Sequence, residues 1–388
     1  MAVIQPRGPE TADAVIVGGG VIGCSIAYHL ARAGLRVTLC ERGELGAQST
    51  GRCAGGVRQQ FSSETNVRIG QLSVGMLQRF EEEVGTPAGF RQIGYLLLLS
   101  TEEQVASFRR QLAMWHRLGL AEARWVTPAE AQALSPAIST AGLLGGTFCP
   151  TDGIASPSDV TAGYAAAARR LGATVRTGVA AHSITVRGGR VTGVETAAGP
   201  IAAPLVFNCA GAWSEAIAAT AGFALPVAPY PRHIFVGDGC RQVSRETPMT
   251  IDLATSFYFH PEGDGVLFGM GERDEQSTFA TEVDWSLLER IQPVAARRAP
   301  PLVEVGIRTA WAGLYEVTPD HQPFVGPAAE PAGLWCASGF SGHGFQQAPA
   351  VGALVAQLLA TGRSEIDLSA FDPQRRLTGG GEPETTFI

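Results

Sequence analysis

AVIVGGGVIGCSIAYHLARAG, residues 14 to 34, decides the fold. Ala14-Val15-Ile16-Val17 is a short apolar run with β-branched members, which reads as a buried parallel strand. It meets Gly18-Gly19-Gly20-Val21-Ile22-Gly23, and the text from Ser25 to Ala33 reads as a helix closed by Gly34. Val37-Thr38-Leu39-Cys40 follows as a second strand and ends in Glu41. Strand, helix and strand in this order form a βαβ unit, whose parallel strands imply a sheet covered on both faces. Gly18, Gly20 and Gly23 make up GxGxxG, and Glu41 stands eighteen residues beyond Gly23. The first glycine makes the turn, the second admits a pyrophosphate to the backbone, and the third lets helix pack on strand. The phosphates then rest on the helix N-terminus. Glu41 accepts from a ribose hydroxyl, and its charge opposes a 2′-phosphate. The spacing predicts a dinucleotide site without separating FAD from NAD.

Outward from this unit, residues 62 to 85 read as helical, then a strand at Tyr95 to Leu99 leads to a helix from Thr101 to about Leu118. Residues 158 to 171 form an alanine-rich helix, with strands expected near Val175, at 191 to 195 and at 205 to 208. From Pro226 to Trp311 alternating strands dominate. The last sixty residues return to strand, glycine turn and helix, with Leu334 to Ala337, Gly339 to Gly344 and Ala350 to Leu359. Nucleotide-type text thus occurs in three pieces with β-rich text between them, the pattern of a discontinuous two-domain enzyme.

The composition narrows the function. The chain has 388 residues, 45% hydrophobic and 17% charged, enough for a large core and against disorder. Its formal charge is −7, and all 29 basic residues are arginine, with no basic run beyond Arg-Arg pairs, so a nucleic-acid partner is not expected. Glycine, at 48 residues, points to many tight turns. No apolar run reaches the length of a membrane span, and the opening residues hold no secretory signal, so a cytoplasmic protein is expected. Seven cysteines without a CxxC pair speak against a disulfide framework and a structural zinc site; no metal is expected.

Gly339-Phe340-Ser341-Gly342-His343-Gly344-Phe345 is the second signal. It precedes a helix, so its backbone N–H groups sit at a positive dipole end suited to developing negative charge. With both ends of the chain read, the sequence resembles the flavin-dependent amine oxidoreductases of the D-amino acid oxidase superfamily, near the sarcosine oxidases, glycine oxidase and the catalytic subunits of heteromeric amine dehydrogenases. The resemblance covers nearly the whole chain. It rests on VIVGGGVIGCSIAYHLARAG with Glu41, ASPSDVTAGYAAAARRLGATV, NCAGAW (Asn208 to Trp213), WAGLYEVTPDHQPFVG (Trp311 to Gly326) and GFSGHGF.

The resemblance implies an α/β (α+β overall) architecture: a discontinuous Rossmann-type FAD-binding domain at 10–88, 149–225 and 313–376, and an inserted β-sheet-rich substrate domain at 89–148 and 226–312. Residues 377–388 are expected to form a flexible tail. FAD is implied in extended form and not covalently held. Gly18, Gly20, Val21, Ile22 and Gly23 would take its diphosphate, and Glu41 and Arg42 its adenosine. Ser49, Thr50, Arg52, Cys53, Ala54, Gly55 and Gly56 would run past pyrophosphate and flavin. Val179 would meet the adenine, with Ala210, Gly211 and Trp213 nearby. Gly313, Gly339, Gly342, His343, Gly344, Phe345 and Gln346 would surround the flavin. In Gly55-Gly56-Val57-Arg58-Gln59-Gln60-Phe61, Arg58 matches the arginine that grips the substrate carboxylate, a role suited to its planar two-donor fork. Tyr258 and Tyr315 match cavity-lining positions, although ordinary packing explains either tyrosine equally well.

Three positions depart from the pattern. Where some relatives attach flavin to a cysteine, this chain has Gly313; where others use a histidine in the N-terminal loop, it has Arg52-Cys53. Gln346 replaces the lysine that follows GHGF in sarcosine oxidases. Leu267 stands near the place of their oxygen-activating lysine. His260 and His321 are not read as catalytic bases, because hydride transfer from a neutral amine needs none. The expected activity is FAD-dependent oxidation of the Cα–N bond of a small amino acid or N-substituted amino acid (sarcosine-, glycine- or proline-like) to an imine that hydrolyses. The expected partners are that substrate, oxygen or another electron acceptor, and a possible partner subunit. The alternatives are an FAD-dependent 2-hydroxy acid dehydrogenase and a flavin-containing subunit or assembly factor with little turnover of its own.

Overall fold

The computed structural model describes residues 10–271, 276–375 and 383–385. Ala14–Val17 and Val37–Cys40 are buried at every position, as the apolar runs require, and pair in parallel. They lie inside a sheet of six strands, ordered Phe324–Pro327, Leu334–Ser338, Leu205–Asn208, Ala14–Val17, Val37–Cys40, Thr174–Arg176. All its pairings are parallel except that of Phe324–Pro327 with Leu334–Ser338. Helix Val21–Arg32 packs between helices Pro157–Arg170 and Gly344–Thr361, and Tyr28, Tyr164, Val351 and Leu354 share its core. The sheet draws its strands from the beginning, middle and end of the chain.

A second sheet has eight strands, with Ile307–Val317 at one edge and Arg124–Val126 at the other. Tyr95–Leu99 shows how it divides the interior. Leu96 and Leu98 face a core shared with Phe235, Phe257 and Phe259, while Tyr95, Leu97 and Leu99 face another with Met249 and Ile251. Successive strand residues point to opposite faces, so a sheet buried on both sides reads as a continuous leucine run. Ile307–Val317 extends past residue 312, so this sheet reaches into the segment that returns to the six-stranded sheet.

Three local expectations change. The helix expected over 62 to 85 breaks at Arg79 into Glu64–Gln78 and Phe80–Val84. Helix Ser286–Arg298 lies in text read as strands; Pro293 interrupts the reading, but Leu287, Ile291, Ala295 and Arg298 are buried at helical spacing. Most of the expected tail falls outside the described residues. Within it, however, Glu384 is buried and accepts from the Ser62 hydroxyl (2.7 Å) and the Asn66 amide (2.9 Å), so that part is docked.

Helix Ser286–Arg298 is tied to the eight-stranded sheet by a buried ion pair. Arg298 Nε donates to Asp252 Oδ2 at 2.9 Å, Nη1 to Ser139 O at 2.6 Å and Nη2 to Ser100 Oγ at 3.1 Å. Removing one member leaves a buried charge unbalanced, which typically costs about 3–5 kcal/mol. Arg298→Ala is expected to lower unfolding free energy in urea by that amount; a loss below about 1 kcal/mol would show the pair to be dispensable.

Candidate active site and cofactor cavity

A cavity of about 360 Å³ opens at the C-terminal ends of the central parallel strands. Strand Ala14–Val17 delivers Gly18 to its wall, and helix Val21–Arg32 starts there with Gly20, Val21 and Ile22. The turn between them tolerates no side chain: a Cβ on Gly23 would lie 2.0 Å from Gly18 O. Gly23 therefore packs helix on strand and does not line the cavity. Thr50 Oγ1 accepts from Val21 N at 3.2 Å and orders the loop above the helix start. Glu41 accepts from Gly19 N at 2.7 Å and from Gly43 N at 2.8 Å, which fixes its carboxylate on the wall. Arg42 lies 3.7 Å over the Trp213 ring, and Trp213 stacks on Phe279. Ala210 and Gly211 complete the expected set. Val179 stands just outside, its N–H donating to Glu41 O at 2.8 Å, and its neighbours Ala180, Ala181 and His182 line the cavity instead.

A smaller cavity of about 100 Å³ lies under the eight-stranded sheet and shares Ser49 with the larger one. Its wall holds Arg52, Cys53, Ala54, Gly55, Gly56, Arg58, Tyr258, Gly313, Tyr315, Gly342, His343, Phe345 and Gln346, all expected from sequence. Gly339 and Gly344 shape the turn and helix start without lining it. Gly342, at φ +90°, is pressed against Tyr315: a Cβ there would lie 2.5 Å from the ring. Both ring nitrogens of His343 are buried without a partner among the described residues. Burial and the nearby Arg58 push its pKa down, so the ring is neutral. Cys53 is pushed up to about 11 by burial and stays a thiol. Arg52 fills the space a side chain at Gly313 would need, its Cβ 2.9 Å from a Cβ built there. His260 is buried away from this wall and held down at about 4, and His321 and Leu267 do not line it either. Sequence reading missed Tyr95 and Arg232, which face the cavity from the far sheet. Tyr95 sits in the run YLLLL, where nothing marks its face; Arg232 lies 4.7 Å over the Tyr315 ring.

Arg58 is 3% exposed and stacks 4.1 Å over Phe61, with Nη1 donating to Gln60 O. The segment that carries it is fixed from several sides. Gln346 Oε1 accepts from Arg58 N at 2.7 Å. Asp152 accepts from Gln59 N (2.9 Å), Gln59 Nε2 (3.0 Å) and Gln60 Nε2 (3.0 Å).

The two cavities, which share Ser49, suit an extended dinucleotide with a planar ring end: glycine turn and helix start at one end, unpartnered ring nitrogens at the other. A family model described as FAD dependent oxidoreductase matches residues 13–358. The chain belongs to this family. It is an FAD-dependent oxidoreductase, and its fold is that of its relatives. L-proline dehydrogenase from P. horikoshii superposes with a TM-score of 0.89 at 33% identity, covering 95% of this chain and 98% of that one. Glycine oxidase from Geobacillus kaustophilus gives 0.84 at 27% identity over 95% and 99% of the two chains. Mitochondrial dimethylglycine dehydrogenase of Mus musculus is 32% identical over 95% of this chain and 45% of its own length. The chain thus spans about half the length of that curated relative. Among the described residues, no helix of the flavoenzyme is long and apolar enough to cross a membrane.

Burial pushes Asp152 up to about 6 from an ordinary 3.8, so between those values the native state holds a proton that the unfolded chain has lost. This part of the stability falls as pH rises through that window. Asp152→Asn, which trades an acceptor for a donor, is expected to cost about 1–3 kcal/mol and to flatten the fall. Urea unfolding at about pH 4 and about pH 7 reads both effects, and equal falls in the two proteins would exclude Asp152 as the titrating group.

Proposed function

We propose that the enzyme oxidises the Cα–N bond of a small amino acid or N-substituted amino acid of the sarcosine, glycine or proline type. The observation that carries this reading is the placement of Arg58. Its buried guanidinium lines a small cavity that shares Ser49 with the dinucleotide cavity. A fork of parallel N–H donors in such a place suits a carboxylate. Relatives named for proline, glycine and dimethylglycine support the reading.

FAD supplies the hydride acceptor when bound. Gly18, Gly20 and Val21, which line the larger cavity at the positive end of helix Val21–Arg32, would hold the diphosphate. Glu41 takes a ribose hydroxyl, and Arg42, clamped on Trp213, flanks the adenosine. Gly342, the His343 ring and the first turn of helix Gly344–Thr361, with its dipole end, would face the pyrimidine edge of the ring. Arg58 would fix the carboxylate in the cavity that Tyr95, Tyr258 and Tyr315 also line, and so turn Cα toward the ring. As the hydride leaves Cα, the nitrogen lone pair would close the C=N bond as an iminium ion, which gives up a proton to water where nitrogen carries one and hydrolyses. A neutral amine makes this step independent of a protein base.

With Arg52 in the space beside Gly313 and Cys53 held as a thiol, the flavin is expected to be non-covalent. The purified protein should be yellow and should release its colour into the supernatant on acid precipitation; colour remaining with the pellet would contradict this.

A charge-assisted two-point contact contributes about 1.5–3 kcal/mol, roughly ten- to hundredfold in binding. Arg58→Ala should raise KM by that factor with flavin content intact, and Arg58→Lys should recover only part. Wild type should discriminate against a substrate whose carboxylate is an amide, and the alanine variant should scarcely do so. Equal discrimination by both proteins would place the anchor elsewhere.

A further inference from the structure

Tyr315 and Glu316 are consecutive residues of strand Ile307–Val317. Consecutive strand side chains point to opposite faces, and here they enter different cavities. Tyr315 lines the smaller one and Glu316 the larger. Glu316 therefore stands at the boundary between the nucleotide cavity and the arginine-lined cavity. Its Oε2 would lie 3.6 Å from a Cβ built on Gly211, which shares that wall with Cys209 and Ala210. The backbone N–H groups of Gly339 and Phe340 draw its pKa down, yet burial prevails and pushes the carboxyl up to about 7. Oε2 is out of contact with solvent and has no hydrogen-bond partner among the described residues. A buried acceptor left in this state is costly for the chain alone. No packing need calls for a carboxylate there.

We propose that Glu316 is a cofactor-binding residue whose Oε2 accepts a hydrogen bond from a hydroxyl of the ribityl chain of FAD. The inference rests on FAD lying along the two cavities as argued above. Three considerations select the polyol. The diphosphate belongs at the start of helix Val21–Arg32, and a carboxylate would repel it. The adenosine ribose has its own acid in Glu41, at the other end of the cavity. The stretch that must cross the boundary joins the nucleotide to the ring system, and it is a chain of hydroxyl donors, which suits a carboxyl oxygen that has no donor of its own.

The test uses apoprotein freed of flavin and titrated with FAD by quenching of flavin fluorescence. Wild type should bind one equivalent; failure to do so would sink the placement of FAD, and this inference with it, before any variant is compared. Glu316→Leu should raise the Kd for FAD about ten- to hundredfold. Glu316→Gln should fall between, since its amide oxygen accepts without charge. At least one of the 2′-, 3′- and 4′-deoxyribityl analogues of FAD should bind wild type more weakly than FAD does, and that difference should vanish in Glu316→Leu. Thermal unfolding of the apoproteins supplies a readout that a scaffold role would move the other way. Without a buried carboxyl whose Oε2 has no partner, Glu316→Leu should melt no lower than wild type, while holding FAD less tightly. A leucine apoprotein that melts lower yet binds FAD with unchanged affinity would show a scaffold residue only. A deoxy penalty of equal size in both proteins would likewise overturn the contact with the ribityl chain. If the leucine apoprotein does not fold, Glu316→Gln carries the same comparison, with the deoxy penalty expected to shrink.

Discussion

Helix Val21–Arg32 begins where strand Ala14–Val17 ends, and the two meet this closely because Gly23 leaves the space beside Gly18 O empty. The rest of the cofactor cavity follows from that contact. It brings the helix N-terminus to the edge of the parallel sheet, where free N–H groups and the dipole favour an anion. It also sets the reach of Glu41, whose carboxylate bridges Gly19 N and Gly43 N. Cys40 O accepts from Gly18 N at 2.9 Å, so the turn and the second strand are registered to each other as well. A side chain at residue 23 would push the helix outward, and these groups would no longer converge.

The second requirement is a cation held in a dry place. Arg58 is buried, and its burial alone would favour loss of charge; Glu384 and Asp152, among others, counter this through space. The segment around it is gripped by residues far apart in the chain. Asp152 holds Gln59 and Gln60, Gln346 holds the Arg58 backbone, and Glu384 holds Ser62 and Asn66. Such a network holds the guanidinium at the wall of the smaller cavity. It also makes residues near the C-terminal end part of the site's support.

The same wall shows how a sheet separates two tasks. Ile307–Val317 forms one edge of the eight-stranded sheet, and its side-chain alternation sends Tyr315 into the smaller cavity and Glu316 into the larger. Because the period of a strand is two, a single residue inserted between them would turn both side chains to the same face. Gly342, pressed on Tyr315, then fixes the distance between this strand and the start of helix Gly344–Thr361.

What the sequence determined by itself were the features whose cause is local. GxGxxG with Glu41 at its spacing specifies a βαβ turn, and the apolar runs specify buried strands, because both depend on backbone geometry within a few residues. Through its resemblance, the chain also marked Arg58, Tyr258, Tyr315 and His343, and the fold brings these together around one cavity. Helix Ser286–Arg298 stayed hidden, since Pro293 masks a pattern that only packing against the sheet completes. Tyr95, Arg232, Asp152, Glu316 and Glu384 were equally illegible. Each is an ordinary residue in its own stretch and acquires meaning from partners remote in the chain. Which face of a strand is the cavity, and which oxygen of a buried acid finds a donor, are decided by long-range packing, because desolvation is a property of the whole fold and not of a residue's neighbours in sequence.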